Sequence, residues 1–235
     1  MRLNVSGWYV PDVLLEGEPD PVESQRNECD DQIAAALPHI TCHELVVQAG
    51  GRVGLWPCAL AQWFAKVVTL EPDPVNFECL AANVAKHANV VPFNAAFGRS
   101  NRFGYLNRSD QSGGEHYLRP LGERPARNVH STRVQVIDVD TMIAEEGGRV
   151  GAMFLDVEGY EMEALAGARE TLRKHKPTLV LEENALCHRY GYDRGDLKRW
   201  LSAFGYAEVG TFTKLAPEIQ NDGYFRGADL IFAPA

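Results

Sequence analysis

The chain has 235 residues, of which 45% are apolar and 23% are charged. This balance is typical of a folded globular domain and excludes an intrinsically disordered chain. No apolar stretch approaches the roughly 18 residues that a membrane-spanning helix needs, so we expect no membrane protein. The formal net charge of -9 repels phosphate groups, and we therefore expect no nucleic-acid partner. Five scattered cysteines without a CxxC pair indicate neither a zinc site nor a disulfide framework.

The first 43 residues differ in composition from the rest of the chain. Residues 1–20 are rich in Pro, Glu and Asp and predict an irregular lead-in, and Gln25–Leu37 predicts a helix. The lead-in has no apolar core, so we expect no secretory signal and a reducing, cytoplasmic setting. We divide the chain into this N-terminal lead-in with its helix, residues 1–43, and one larger domain, residues 44–235.

From residue 44 onward, short apolar strands alternate with amphipathic helices. The strands are predicted at 44–48, 66–70, 90–93, 134–136, 152–156, 177–182, 206–213 and 230–233, and the helices at 54–65, 74–86, 139–145, 161–175 and 194–204. The strands are continuously apolar, which predicts an α/β fold with a mostly parallel sheet and helices on both faces. The last two strands have no helix between them and predict an antiparallel C-terminal hairpin. Ligands bind beyond the carboxyl ends of the strands in such a sheet.

Residues 99–133 interrupt this alternation and predict a loop with one strand, Phe103–Asn107. The segment carries seven arginines against three acidic residues; the arginines are Arg99, Arg102, Arg108, Arg119, Arg124, Arg127 and Arg133. Because guanidinium groups suit bidentate contacts with carboxylates and phosphates, one hypothesis is an anionic substrate, such as a phosphorylated or nucleotide-linked sugar or an acidic glycan. The alternative is a solvated loop that acids elsewhere balance.

Glycines and an acidic residue follow the first two strands of the domain. Gly50, Gly51 and Gly54 lie between a strand and a helix, where glycine lets the backbone approach a ligand and the helix start suits an anionic group. A turn needed only for packing is the alternative. Glu71 ends the second strand, about twenty residues on, where an acid can accept the hydroxyl protons of a ribose. Together they predict an adenosine-containing cofactor. The glycine spacing imperfectly imitates the dinucleotide fingerprint, so a nicotinamide-dependent oxidoreductase stays as an alternative.

Three strings of residues resemble one known family. They are FLDVEGYE at 154–161, LEPDP at 70–74 and NAAFG at 94–98, and they are similar to the FkbM family of S-adenosylmethionine-dependent methyltransferases over residues 44–184. The resemblance implies a class I methyltransferase fold, which is a Rossmann-like, mostly parallel seven-stranded sheet with an antiparallel C-terminal hairpin. It also implies O-methylation of a hydroxyl on a sugar, glycan or other small metabolite.

The resemblance further implies which residues bind S-adenosylmethionine. It places Gln48, Gly50, Gly51 and Gly54 at the methionine portion, Glu71 at the ribose, Asn94 and Ala95 beside the adenine, and Asp156 near the transferring methyl group. Two positions depart from the family, which normally has Asp where Gln48 stands and Asn where Arg52 stands. Gln48 can hydrogen-bond the methionine end but does not offset its ammonium charge. A non-catalytic cofactor-binding interaction module therefore stays as a third alternative.

Methyl transfer to an alcohol needs alignment of the two reactants and a base for the alcohol proton. The catalytic candidates are Asp156, Glu158 and Glu183, with Glu182 and His188 as further bases. Asp156, Glu183 and Asn184 could also hold Mg²⁺, similar to the magnesium site of catechol-type O-methyltransferases. We favour the alternative, in which the acids after this strand only cap its end or pair with an arginine, and we assign no metal ligand.

Overall fold

The structure is a computed structural model that describes residues 1–4, 6–11, 21–108, 116–124, 130–213 and 228–235. Its N-terminal elements are β1 (Arg2–Leu3), β2 (Tyr9–Val10), α1 (Pro21–Ala36) and a 3-10 helix (Leu37–His39). Next come β3 (Leu45–Ala49), α2 (Leu55–Leu60), β4 (Lys66–Leu70), α3 (Pro74–Val84), β5 (Val90–Phe93) and β6 (Ala96–Phe97). They are followed by β7 (Arg102–Arg108), β8 (Tyr117–Leu118), β9 (His130–Ile137), α4 (Val139–Glu146) and β10 (Val150–Leu155). The last elements are α5 (Glu161–Ala166), α6 (Arg169–His175), β11 (Thr178–Glu183), a 3-10 helix (Ala185–Tyr190), α7 (Asp196–Ala203), β12 (Tyr206–Thr213) and β13 (Ala228–Pro234).

Seven strands form the central sheet, in the order β12-β13-β11-β10-β3-β4-β5. Strands β11, β10, β3, β4 and β5 pair in parallel, and β13 runs antiparallel to both of its neighbours. The predicted fold class is therefore confirmed, including the antiparallel C-terminal hairpin. From β3 the chain moves outward to β4 and β5 and then returns to β10 on the other side of β3. This reversal makes the carboxyl ends of β3 and β10 the switch point at which such sheets bind ligands.

Both faces of the central sheet are buried under helices. Along β3, Leu45 and Val47 face a cluster with side chains from α4 to α7, whereas Val46 faces a cluster with side chains from α1, α2 and α3. Because successive strand residues point to opposite faces, a strand buried on both sides needs the continuous apolar sequence seen here. Within the described part of the chain, every helix is too short or too polar to cross a membrane.

The helix predicted over 161–175 is two helices, α5 and α6, separated at Gly167. A Cβ atom on Gly167 would lie 2.1 Å from the carbonyl oxygen of Gly98, so the backbone breaks where two chain segments touch. The Asp140 carboxylate accepts hydrogen bonds from the backbone N–H groups of Glu170 and Thr171 and thereby caps α6. The periodicity of the apolar residues continues through the break, which explains why the sequence predicts one helix.

Four strands between residues 96 and 137 form a second sheet, which we call the inserted sheet. Its order is β6-β9-β7-β8, with β6 parallel to β9 and with β7 antiparallel to both β9 and β8. The segment 99–133, predicted as a loop with one strand, therefore contains two further strands, β8 and the first part of β9, and the strand predicted at 134–136 begins at His130. Buried residues lie two apart at Gly104 and Leu106 of β7 and at Val134 and Val136 of β9, although Asn107 is also buried. Glycine and arginine between the apolar residues obscured that alternation.

Candidate active site

A cavity of about 250 Å³ opens at the switch point of the central sheet. We call it the main cavity. The central-sheet side contributes Ala49, Gly50, Arg52, Leu70, Glu71, Pro72, Asn76, Asp156, Val157, Glu158, Tyr160 and Glu182, and the inserted-sheet side contributes Ala96, Phe97, Leu106, His116 and Leu118. The acidic groups thus come from the carboxyl ends of the central strands, whereas the inserted sheet supplies mainly apolar side chains.

A second cavity of about 150 Å³ lies between α1 and the loop after β3. We call it the α1 cavity. Gly50, Arg52 and Asp156 line both cavities, which are therefore adjacent. The remaining lining residues of the α1 cavity are Gln25, Glu28, Cys29, Gln32, Gly51, Val53, Leu55 and Trp56. Together the two cavities extend from the inserted sheet to helix α1.

Only glycine fits at position 50. Its φ is +83°, and a Cβ atom there would lie 2.0 Å from the carbonyl oxygen of Asp156. The backbone N–H of Asp156 in turn donates to the carbonyl of Ala49, at 3.1 Å. The loops after β3 and β10 therefore touch through their backbones at the boundary of both cavities. At Gly51 a Cβ atom would instead lie 2.5 Å from Leu80 of α3, so this glycine also serves packing.

Gly54 and Gln48, both predicted at the methionine portion of the cofactor, line neither cavity. Gly54 adopts a φ of +102° immediately before α2. Gln48 is fully buried in the central sheet, where its Oε1 accepts a hydrogen bond from Thr69 and its Nε2 donates to the carbonyl of Ala49. The Gln48 amide thus holds β3 to β4, and its contact with a cofactor stays a prediction.

Glu71 lies at the end of β4 with 5% of its surface exposed. Its Oε2 accepts the backbone N–H of Arg52 at 2.7 Å, and its Oε1 accepts that of Asp73 at 2.8 Å. Burial raises the pKa of Glu71 to about 7, although these two hydrogen bonds act to lower it. Each carboxylate oxygen can accept more than one hydrogen bond, so Glu71 retains capacity for ribose hydroxyls.

The two residues predicted beside the adenine do not line the main cavity, but the next two residues do. Asn94 is exposed, and its side-chain amide donates to the carbonyl of Glu71 at 2.8 Å. Ala95 is buried in the core, while Ala96 and Phe97 line the cavity. Asn94 therefore supports the backbone of Glu71.

The three predicted catalytic carboxylates are not all in one place. Asp156 lines both cavities, and Glu158, in the left-handed region at φ +57°, lines the main cavity. Glu182 also reaches the main cavity. Glu183 does not line the main cavity but a small cavity around Cys187, and its Oε1 accepts the backbone N–H of Gly195. Glu182 lines both of these cavities.

The hypothetical magnesium ligands do not share one cavity either. Asn184 and Glu183 line the small cavity, whereas Asp156 lines the main cavity. Its Oδ1 accepts the backbone N–H of Leu186, and its Nδ2 donates to Glu182 at 2.6 Å. Among the residues that the structure describes, no group of three or more His, Cys, Asp or Glu side chains is arranged to hold a metal ion.

Three residues that shape the site were not predicted from the sequence. His116 lies in the segment that the sequence predicts as a loop, and no spacing indicated it. Tyr160 is buried, and its hydroxyl accepts a hydrogen bond from Arg102 Nη2 at 3.0 Å. Glu161 is 4% exposed, accepts the backbone N–H of Val157, and has a pKa that burial raises to about 8. Glu161 thereby braces the turn that carries Asp156 and Glu158, a role that its place in the FLDVEGYE string did not indicate.

Five arginines of the 99–133 segment make contacts within the protein. Arg99 pairs with Glu163, Arg102 binds Tyr160, Arg108 pairs with Asp73, and Arg119 and Arg133 lie over the rings of Tyr105 and Phe103. None of these five lines the main cavity. Arg124 is exposed, and Arg127 lies outside the described residues. The described contacts give these arginines structural roles, and the hypothesis of an anionic substrate stays a prediction.

Comparisons with known proteins agree with this architecture. A crystal structure of methyltransferase FkbM from Methylobacillus flagellatus KT is similar with a TM-score of 0.55 and 16% identity, covering 94% of this chain and 57% of that one. Magnesium protoporphyrin IX methyltransferase from Synechocystis PCC 6803, solved with bound SAM, has a TM-score of 0.53 and 15% identity, covering 94% and 86%. N-methyltransferase NodS from Bradyrhizobium japonicum WM9 has a TM-score of 0.51 and 12% identity, covering 92% and 99%. At these identities the likeness shows the fold alone.

The comparison of sequences assigns the family. No curated protein matches the chain significantly, and none of the comparisons supports the nicotinamide-dependent alternative. The chain spans 57% of the length of the FkbM structure that it resembles. The model of the methyltransferase FkbM domain matches residues 48–207, which is more than half of the chain. The chain therefore belongs to the FkbM methyltransferase domain family.

Proposed function

We propose that this protein is an S-adenosylmethionine-dependent methyltransferase that methylates a hydroxyl group of a sugar, glycan or other small metabolite. The observation that carries the proposal is that Gly50, Glu71 and Asp156, from the ends of three neighbouring strands, line one cavity. Family membership gives the reaction class, and the cavity gives the cofactor and the acceptor a common place.

The residues of the main cavity fit an adenosyl group. Gly50 lines the cavity, and its missing side chain lets the backbones after β3 and β10 touch at the cavity boundary. Glu71 is fixed by two backbone N–H groups and retains lone pairs toward the cavity. Bound S-adenosylmethionine would supply a methyl group on a sulfonium centre. Glu71 would hold the ribose hydroxyls, and Gly50 would lie beside the chain that joins ribose and methionine.

The remaining residues of the main cavity would act on the acceptor. Asp156 and Glu158 both lie at its boundary and can accept a hydroxyl proton on a carboxylate oxygen. Phe97, Leu106 and Leu118 supply apolar surface that excludes water. Exclusion of water strengthens the hydrogen bond between the hydroxyl and its base and keeps the reactants aligned.

Thermal-shift titration tests the cofactor. We expect S-adenosylmethionine and S-adenosylhomocysteine to raise the melting temperature in a concentration-dependent way and NAD to leave it unchanged, because only a ligand of the native state stabilises it. Stabilisation by NAD instead would support the oxidoreductase. Stabilisation by none of the three would support the non-catalytic module.

Two sets of variants test the assigned residues. Glu71→Gln should weaken binding of S-adenosylhomocysteine by about tenfold, because a carboxylate that accepts ribose hydroxyls is replaced by a neutral amide.

With an acceptor found by screening hydroxyl-bearing sugars, Asp156→Asn or Glu158→Gln should lower kcat by roughly 10²- to 10⁴-fold, depending on which group is the base. Glu170→Gln, on the exposed face of α6, is the matched control and should change neither quantity. Full activity in both Asp156→Asn and Glu158→Gln would remove these carboxylates from the mechanism.

A further inference from the structure

The α1 cavity carries charges of both signs close together. Arg52 contributes a positive charge, Glu28 and Asp156 contribute negative charges, and Gln25 and Gln32 contribute neutral amides. The cavity is small, at about 150 Å³, and it adjoins the main cavity at Gly50 and Asp156. Its size and mixed charge suit a zwitterion such as an α-amino acid.

Arg52 is the residue of this cavity with unused hydrogen-bonding capacity. Its backbone adopts φ +45°, a left-handed conformation that costs energy for a residue other than glycine. Its backbone N–H binds Glu71, and its Nη1 donates to Gln25 at 3.1 Å. Its Nε is buried without a hydrogen-bond partner. A buried unsatisfied donor is costly, and the planar guanidinium matches a carboxylate.

A negative partner for an ammonium group does not come from β3. Gln48 stands where the family normally has an aspartate, and its amide is already bonded to Thr69 and Ala49. Glu28 is the carboxylate that α1 turns toward the cavity. Helix α1 is anchored next to it, because Gln32 hydrogen-bonds to the buried Asp229 of β13 and Ile33 is packed in the core. The position of Glu28 is therefore set by packed neighbours.

We propose that the α1 cavity binds the amino-acid end of the cofactor, with Arg52 binding its carboxylate and Glu28 binding its ammonium group. This inference rests on the proposed function and deepens it. The negative charge that the family normally places at position 48 is supplied in this chain from helix α1. Asp156, which lines both cavities, lies where the amino-acid and adenosyl halves would meet.

Isothermal titration calorimetry with adenosyl ligands that carry different parts of the amino-acid end tests the assignment, with each variant compared with the wild type for the same ligand. S-adenosylhomocysteine carries the whole zwitterion, decarboxylated S-adenosylmethionine keeps the sulfonium and the amine but lacks the carboxylate, and 5′-methylthioadenosine lacks the amino-acid end. Arg52→Gln and Glu28→Gln should each weaken S-adenosylhomocysteine binding by about tenfold or more, because each removes a hydrogen bond between charged groups. Both variants should bind 5′-methylthioadenosine within about twofold of the wild type, since it makes neither charged contact. Decarboxylated S-adenosylmethionine should respond to Glu28→Gln and not to Arg52→Gln.

Helix α1 provides matched controls on a different surface. Arg26 and Asp30 line another crevice, with Trp8 and Lys86, so Arg26→Gln and Asp30→Asn change the same charges without touching the α1 cavity. Both controls should bind S-adenosylhomocysteine like the wild type. Unchanged selectivity for S-adenosylhomocysteine over 5′-methylthioadenosine in Arg52→Gln and Glu28→Gln would overturn the inference and leave the proposed function standing. Failure of the wild-type protein to bind any of the three adenosyl ligands would overturn the proposed function, and this inference with it.

Discussion

The central and inserted sheets build opposite sides of the main cavity by different means. The central sheet contributes backbone turns and carboxylates at the ends of parallel strands, such as Gly50, Glu71 and Asp156. The inserted sheet contributes mostly apolar side chains, such as Leu106 and Leu118. The central side depends on backbone atoms in direct contact, where one added carbon cannot be accommodated. The inserted side depends on side chains, which can adjust.

The largest expected effect comes from Gly50→Ala on the central side. Its φ is +83°, and its new Cβ atom would lie 2.0 Å from the carbonyl oxygen of Asp156, so the loops after β3 and β10 must separate. Gly122 after the inserted strand β8 has nearly the same φ, +85°, with nothing within 4 Å of a Cβ atom. We expect Gly122→Ala to cost about 1 kcal/mol from backbone strain alone. Gly50→Ala should lower the free energy of unfolding, measured by urea titration, by several kcal/mol more.

Urea titrations also show how this expectation could fail. Both variants should keep the m-value of the wild type if only stability has changed. Equal losses at Gly50 and Gly122 would mean that the contact with Asp156 relaxes at little cost. The central side of the cavity would then be as adaptable as the inserted side.

The same difference explains what could be predicted from the sequence. Strand β4 is found at the predicted residues, because a run of apolar residues before Pro72 and Pro74 has one local interpretation. Gly50 and Glu71 could be predicted to lie near each other because turn chemistry and strand-end position are local signals, and both line the main cavity. The contributions of His116 and Leu118 depend on the pairing of β8 with β7, a long-range contact with no local signal. Gln48 shows a further limit, since strand position alone did not reveal that Thr69 engages its amide.

A smaller effect is expected where the two sheets are joined by a charge pair. Arg108 of β7 lies 2.9 Å from Asp73, whose side chain is fully buried and caps α3. Arg108→Met should lower the free energy of unfolding by about 1–3 kcal/mol, because the carboxylate loses its charged partner while keeping its two backbone donors. A double-mutant cycle with Asp73→Asn measures the coupling between the two side chains. A coupling free energy near zero would mean that this pair adds nothing to the connection between β7 and the start of α3.

Two carboxyl groups of helix α5 should make stability depend on pH in opposite ways, and Glu161 is the first of them. Burial raises the pKa of Glu161 to about 8 from an ordinary value of 4.5, so the folded protein holds a proton that the unfolded chain releases between these values. By linkage, the contribution of Glu161 to stability falls as pH rises from about 4.5 to 8. Glu161→Gln is neutral throughout and keeps an acceptor for Val157. Its melting temperature should match the wild type near pH 5 and exceed it by a few degrees at pH 8.5.

Glu163 on the same helix should behave in the opposite way. Burial acts to raise its pKa, but hydrogen bonds from Arg99, which precedes β7, and from Tyr192 lower it overall. A lowered carboxyl pKa stabilises the fold above the unfolded value, so Glu163→Gln should reduce the melting temperature at neutral pH and lose that effect in acid. If Glu161→Gln and Glu163→Gln gave the same pH profile, the pKa values of the two carboxyl groups would not be shifted in opposite directions.

The smallest effect is expected on the outer face of the inserted sheet. The guanidinium carbon of Arg133 lies 3.7 Å from the centre of the Phe103 ring, which is 61% exposed. Arg133→Gln should lower the free energy of unfolding by only about 0.5–1 kcal/mol, the usual strength of an exposed cation–π contact. Because Arg133 lines neither cavity, S-adenosylhomocysteine affinity and the KM for the acceptor should stay unchanged. A higher acceptor KM at unchanged stability would instead show that this face takes part in binding an anionic acceptor.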